Sequence, residues 1–168
     1  MRKFLTLALL FTLWSCQSES QNPLKSLELK TPGAEVIKTT LVFTPAEMEQ
    51  GLSGVKPEDF SDDQGMLFFY LTEQVMYFWM PDTYFDLDLF YLDKDLKVLD
   101  VVRKLPHYIG RANPDLIPRA RGVWARFVLE MKSTSALAAK IKIGDQLEWK
   151  SSMNLHETEM EIKKQLAK

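Results

Sequence analysis

Apolar positions are distributed along this chain in two ways. Behind Arg2 and Lys3 lies an apolar stretch from Phe4 to Leu13, interrupted only by Thr6 and Thr12. Farther on, short apolar runs alternate with polar turns. The first stretch has the positive start and apolar middle of a secretory signal peptide, read over residues 1–15. It is about half the roughly 20 residues that a membrane-spanning helix needs, so a cleaved leader is expected rather than a permanent span. The polar segment Gln17 to Pro23 has no apolar periodicity, and residues 16–34 are read as a flexible tether.

Glu35 to Phe43 is dense in β-branched residues and predicts a strand. Thr44-Pro45-Ala46-Glu47 supplies a capping hydroxyl, a proline at the first helical position and a carboxylate at the third, so a short helix is expected to end near Gly51. Residues 54–64 read as a loop. Strands are predicted at Met66 to Leu71, Val75 to Met80, Leu87 to Leu92 and Val98 to Arg103, with a turn at Asp93-Lys94-Asp95. Residues 106–122, rich in Pro and Arg, read as a long irregular loop whose length marks it as functional or mobile. Trp124 to Met131 predicts another strand, Ser133 to Ile141 a short Ala-rich helix, and a last strand ends near Trp149. The tail, 151–168, reads as a marginal helix supported by pairs such as Glu159 with Lys163. The succession predicts a β-rich α+β fold over residues 35–150: a compact, mainly antiparallel sheet or small barrel with two or three short helices.

The 168 residues leave room for one domain behind the leader, and the net charge of −2 becomes more negative once Arg2 and Lys3 are removed. A mildly acidic chain without a basic stripe argues against nucleic acid as a partner. The single cysteine, Cys16, has no partner for a disulfide within the chain, so the fold must rest on apolar packing. Cys16 follows Leu13-Trp14-Ser15, which resembles the lipobox of bacterial lipoproteins, with Trp14 departing from the usual small residue. That resemblance implies lipidation of Cys16 and attachment to a membrane facing the periplasm. Gln17, in place of the Asp that retains lipoproteins at the inner membrane, implies the outer one.

Several landmarks recur in one order. They are Thr44-Pro45 with Gly51-Leu52, Gly65-Met66-Leu67-Phe68, Phe78-Trp79-Met80-Pro81-Asp82-Thr83, Leu87-Asp88-Leu89-Phe90, Val128-Leu129-Glu130 and Gly144-Asp145. Together, over roughly residues 35–149, they resemble domain-of-unknown-function family 192, a group of bacterial and archaeal proteins, often exported. The chain departs from that family's usual Lys-Asn after Phe-Trp-Met and its usual Pro before Leu-Asp, having Pro81-Asp82 and Asp86 there. The resemblance implies a fold and an address rather than an activity.

Asp86 and Asp88, two apart on a strand, share a face, and Asp82 is within reach from the preceding turn. Three such carboxylates could bind a hard cation or perturb one another. The plainer reading, which is favoured, has Asp86 solvated and Asp88 buried against backbone amides. Trp79 and Thr83 join the acids as ligand-binding candidates, exposed aromatics being suited to a glycan or an envelope protein. Met66, Met76, Met80 and Met131 raise copper ligation, but methionines at strand spacing are expected to fill a core. No cofactor or metal is expected. No nucleophile elbow, phosphate loop or zinc-protease motif occurs. Weak catalytic candidates are Asp88 and Glu130 as general bases and His107 as a base or ligand in a loop cleft. Three functions follow. The first is a non-catalytic binding or accessory domain. The second is a small carboxylate-dependent hydrolase acting on envelope material. The third is a structural envelope protein docking through the 106–122 loop, with Arg111, Arg119, Arg121 and Arg126 as its basic positions.

Overall fold

The computed structural model describes residues 24–167. The expected leader, Cys16 and the first part of the expected tether lie outside them. Its strands are β1 (Ser26–Lys30), β2 (Val36–Val42), β3 (Gln64–Met76), β4 (Leu87–Leu92), β5 (Val98–Leu105), β6 (Val123–Lys132) and β7 (Glu148–Lys150), with helices α1 (Pro45–Gln50) and α2 (Leu155–Leu166). They form one sheet in the order β5-β4-β6-β3-β2-β1-β7. All neighbours run antiparallel except β2 and β3, whose parallel pairing requires a crossover, and α1 lies on it. The sheet curls until its two edges meet, where Lys97 bridges Gln146 and the Val98 amide donates to the Asp145 carbonyl at 2.8 Å. The β-rich α+β expectation is met by an open sheet closed along this short seam.

Both faces of the sheet are covered. The inner face gathers Leu29, Ile37, Leu41, Phe69, Phe90, Phe127 and Leu129 around one core. On the outer face Val42, Phe68, Phe78, Met80, Leu89, Tyr91 and Val128 form a second. Alternate apolar residues of β4 enter the two cores, which is why every residue of Leu87–Leu92 is buried and the strand reads as an apolar run broken only by Asp88. The outer core is roofed by the turn after α1, the segment after β3 and the 106–122 region, and the candidate site lies beneath this roof.

Several sequence expectations need correction. β1 falls inside the stretch read as tether. Its five residues alternate polar and apolar, Leu27 and Leu29 are buried, and it pairs with both β2 and β7. The strand expected at 66–71 runs on through Met76 as one strand, β3, with an irregularity between Phe69 and Gln74, and the rest of the strand expected at 75–80 lies beyond its end. The Ala-rich segment 133–141 makes only a single 3-10 turn, Ala138–Lys140, and Arg103 donates to the Ala138 and Ile141 carbonyls there. α1 carries the predicted capping box, with Thr44 accepting from the Glu47 amide. α2 starts from a capping box of Asn154 and Glu157 and buries Ile162 in the inner core.

Candidate functional site

β6 places an acid in the outer core. Glu130 is registered opposite Met66 on β3 and Leu89 on β4, so its side chain leaves the sheet on the apolar outer face. The residue is 4% exposed, and its carboxyl has no hydrogen-bond or ion-pair partner among the described residues. Neither oxygen is sealed off, and the group lines a cavity of about 90 Å³. Desolvation pushes this carboxyl up to about 8, so it is mostly protonated at neutral pH.

Besides Leu87 of β4, the rest of the cavity comes from three parts of the chain. β3 contributes Phe68 and Tyr70, two apart and so on the same face as Met66. The end of α1 and its turn contribute Met48, Glu49, Gly51 and Ser53. The segment after β3 contributes Tyr77, Phe78, Trp79, Met80 and Thr83. Two bonds lock the last two parts together: the Ser53 hydroxyl donates to the Pro81 carbonyl at 2.6 Å and the Gly54 amide to the Asp82 carbonyl at 2.8 Å. Phe68 and Phe78 meet edge to face at 4.8 Å. Burial, and next the Glu130 charge, raise the Tyr70 hydroxyl above its ordinary value, so it stays a donor.

The 106–122 region is less irregular than its sequence implies. It runs antiparallel to the pocket wall, with the Met80 amide donating to the Pro118 carbonyl, Ala120 to Phe78, Asp82 to Gly110 and Thr83 to Tyr108, all at 2.8–3.1 Å. Arg119 lies over the Trp79 ring, 5.1 Å from its centroid. Of the other basic positions, Arg121 pairs with Asp100. Arg126 belongs to β6 and is turned in toward the Tyr70 carbonyl and Glu159.

The expected carboxylate cluster does not form. Asp82, at φ 51°, accepts from the Gly110 amide at 3.1 Å. Asp86 faces His107, whose Nδ1 lies 2.6 Å away and whose amide donates at 2.9 Å. The His107 side chain, and then its amide, hold Asp86 below the usual carboxylate range. Asp88 is buried against Arg103, the Lys104 amide and the Ser133 hydroxyl, its oxygens taken up by neighbours. Among the described residues no three His, Cys, Asp or Glu side chains are grouped to hold a metal. The four methionines do not converge either, since Met131 belongs to the inner core and Met66, Met76 and Met80 to the outer. Of the residues singled out from sequence, Trp79, Thr83 and Glu130 share the cavity, while His107 and Asp86 line a separate open groove with Ser133 and Thr134. Sequence reasoning missed Phe68, Tyr70, Tyr77 and Ser53 as site residues. The one signal available was the alternation that sets Phe68 and Tyr70 on the Met66 face.

Solved structures share this architecture. A protein of unknown function from Novosphingobium aromaticivorans aligns over 74% of this chain and 84% of its own, with TM-score 0.59 and 25% identity. A candidate transcription regulator from Sinorhizobium meliloti aligns over 74% and 92%, with TM-score 0.56 and 23% identity, a likeness of fold alone. No curated protein matches the chain. The DUF192 family model, described as an uncharacterized ACR, matches residues 27–149, a span that contains every residue of the Glu130 cavity. The chain belongs to the DUF192 family.

Proposed function

We propose that this protein is a lipoprotein of the bacterial envelope whose DUF192 domain is a binding module, taking a ligand group into the cavity over Glu130. One observation carries the binding reading: a carboxyl 4% exposed, without a partner among the described residues, opens into a cavity walled by aromatic rings. Buried polar groups are normally satisfied, and an exception at the floor of a pocket is the signature of a group kept for a ligand. The anchoring reading rests on the leader pattern and on Leu13-Trp14-Ser15-Cys16. Among the described residues no helix is long and apolar enough to cross a membrane; on this reading the attachment is the lipid on Cys16.

Thermal unfolding of the full chain against a panel of small ligands tests the module. A ligand at 100 times its dissociation constant adds about 2.7 kcal/mol, and the upward shift should vanish in Trp79→Ala and Glu130→Gln. A shift that survives both changes places the binding elsewhere. Anchoring is tested by Cys16→Ser, which should move the protein from the membrane fraction to the soluble one. Unchanged partition removes the lipoprotein reading.

The hydrolase reading has one observation in its favour. Asp86 fixes His107 through Nδ1 at 2.6 Å in a groove that also holds Lys104, Ser133 and Thr134, as an orienting acid does for a general base. Hydrolysis of an envelope ester or glycan that is lost in His107→Ala, but not in Glu130→Gln, would establish it.

A further inference from the structure

The character of the cavity narrows what it takes. Its lining contains two carboxylates, the buried Glu130 and the exposed Glu49 of α1, and no lysine, arginine or histidine. Its walls carry five aromatic rings, Phe68, Tyr70, Tyr77, Phe78 and Trp79. Tyr77 is 76% and Trp79 41% exposed, so the rings run from the floor out to solvent. Aromatic faces attract organic cations, and a carboxylate removed from water gains most from a partner of opposite charge. An anion would meet two acids and no cation in the lining, Arg119 lying over the Trp79 ring without lining the cavity, and a neutral apolar group would leave Glu130 unsatisfied. The volume of about 90 Å³ suits a small head group rather than a whole large ligand.

Resting on the reading of this cavity as a ligand site, we infer that it binds an organic ammonium group, with Glu130 as counter-ion and the Tyr77, Phe78 and Trp79 rings as its cage. The group could arrive on a free amine or as a lysine side chain of a peptide, and both present the same cation. Because Glu130 holds its proton at neutral pH, capture of the cation releases that proton. The proton goes to buffer, and no bond to carbon forms or breaks.

The test uses the full chain with five probes: methylammonium, tetramethylammonium, the tripeptide Gly-Lys-Gly, neutral tert-butanol and acetate. NMR shifts of the Trp79 indole and the Tyr70 ring report occupancy, and calorimetry in buffers of different ionisation heat counts protons. The ammonium probes should bind, with affinity rising about tenfold per pH unit below the Glu130 midpoint and levelling above it, since only the ionised fraction is competent. About one proton should be released at pH 6 and almost none at pH 9.5. Glu130→Gln, nearly the same shape, should bind at least about tenfold more weakly at pH 9, a loss of about 1.4 kcal/mol. The pH profile of the unmodified protein carries the test if that variant folds poorly. Tighter capture of Gly-Lys-Gly assigns the cation to a peptide and tighter capture of methylammonium to a free amine, and both uphold the inference. If acetate or tert-butanol shifts Trp79 and Tyr70 while the ammonium probes do not, the ligand class is overturned and the cavity remains a site. If none of the five does, the inference and the binding reading both fall.

Discussion

Asp88 Oδ2 stands 2.6 Å from Arg103 Nη1, and the same guanidinium donates to the carbonyls of Ala138 and Ile141. The other Asp88 oxygen accepts from the Lys104 amide and the Ser133 hydroxyl, each at 2.8 Å. One buried carboxylate thus ties β4 to β5 and, through Arg103, to the turn after β6. These three partners engage both of its oxygens and Asp88 does not line the cavity, which makes it a structural group rather than a base.

Asp88→Ala should therefore cost about 3 kcal/mol, the size expected when one partner of a buried charged pair is removed. Denaturant unfolding measures it, and Asp88→Asn should cost less because the amide oxygen still accepts. A loss under about 0.5 kcal/mol would show that Arg103 finds another anchor.

Glu130 acts on stability with the opposite sign. Its folded-state value, about 8, lies above the ordinary 4.5. Between these two values the folded protein holds a proton that the unfolded chain has released, so stability falls as pH rises through that window and the full penalty is present above it. Glu130→Gln removes this titration. Its melting point, relative to the unmodified protein, should climb steadily from pH 5 to pH 8 and then level. A gap that stays constant with pH would mean that Glu130 titrates normally.

The turn after α1 is held by Gly51, at φ 47°, and a Cβ there would meet Phe68 Cζ at 3.1 Å. Gly51→Ala should lose about 1–2 kcal/mol through the left-handed backbone and should displace Phe68 in the cavity wall. Unfolding gives the first, and NMR shifts of the Tyr70 ring give the second. An unshifted ring would separate the turn from the site.

Asp86 and His107 make a half-exposed pair, with side chains 43% and 49% accessible. Asp86→Asn should cost less than about 1 kcal/mol, as exposed ion pairs do. Because the folded state holds Asp86 below its ordinary value, that contribution is present above the unfolded value and is lost as pH falls through the folded one. The cost should be visible at pH 6 and gone in strong acid. A cost that persists there would point to packing rather than charge.

Local pattern determined much of this protein. The capping box at Thr44, the β-branched run of β2 and the short strands β4 to β6 are all written in a few neighbouring residues, because capping and alternation act over three or four positions. The lone acid in the apolar run of β6 was also legible, and Glu130 was a candidate from the sequence. What β1 does was not legible. Five alternating residues beside a polar tether become a strand only when β2 and β7 supply both sets of backbone partners. Tertiary structure likewise separated Asp82, Asp86 and Asp88, which are close in sequence, and gave each its own partner from the region 103–110. It also joined α1, β3, β6 and the segment after β3 around one cavity. Burial and pairing are properties of distant chain segments brought into contact. Local chemistry could therefore name Glu130, and only packing could set its carboxyl among aromatic rings without a partner among the described residues.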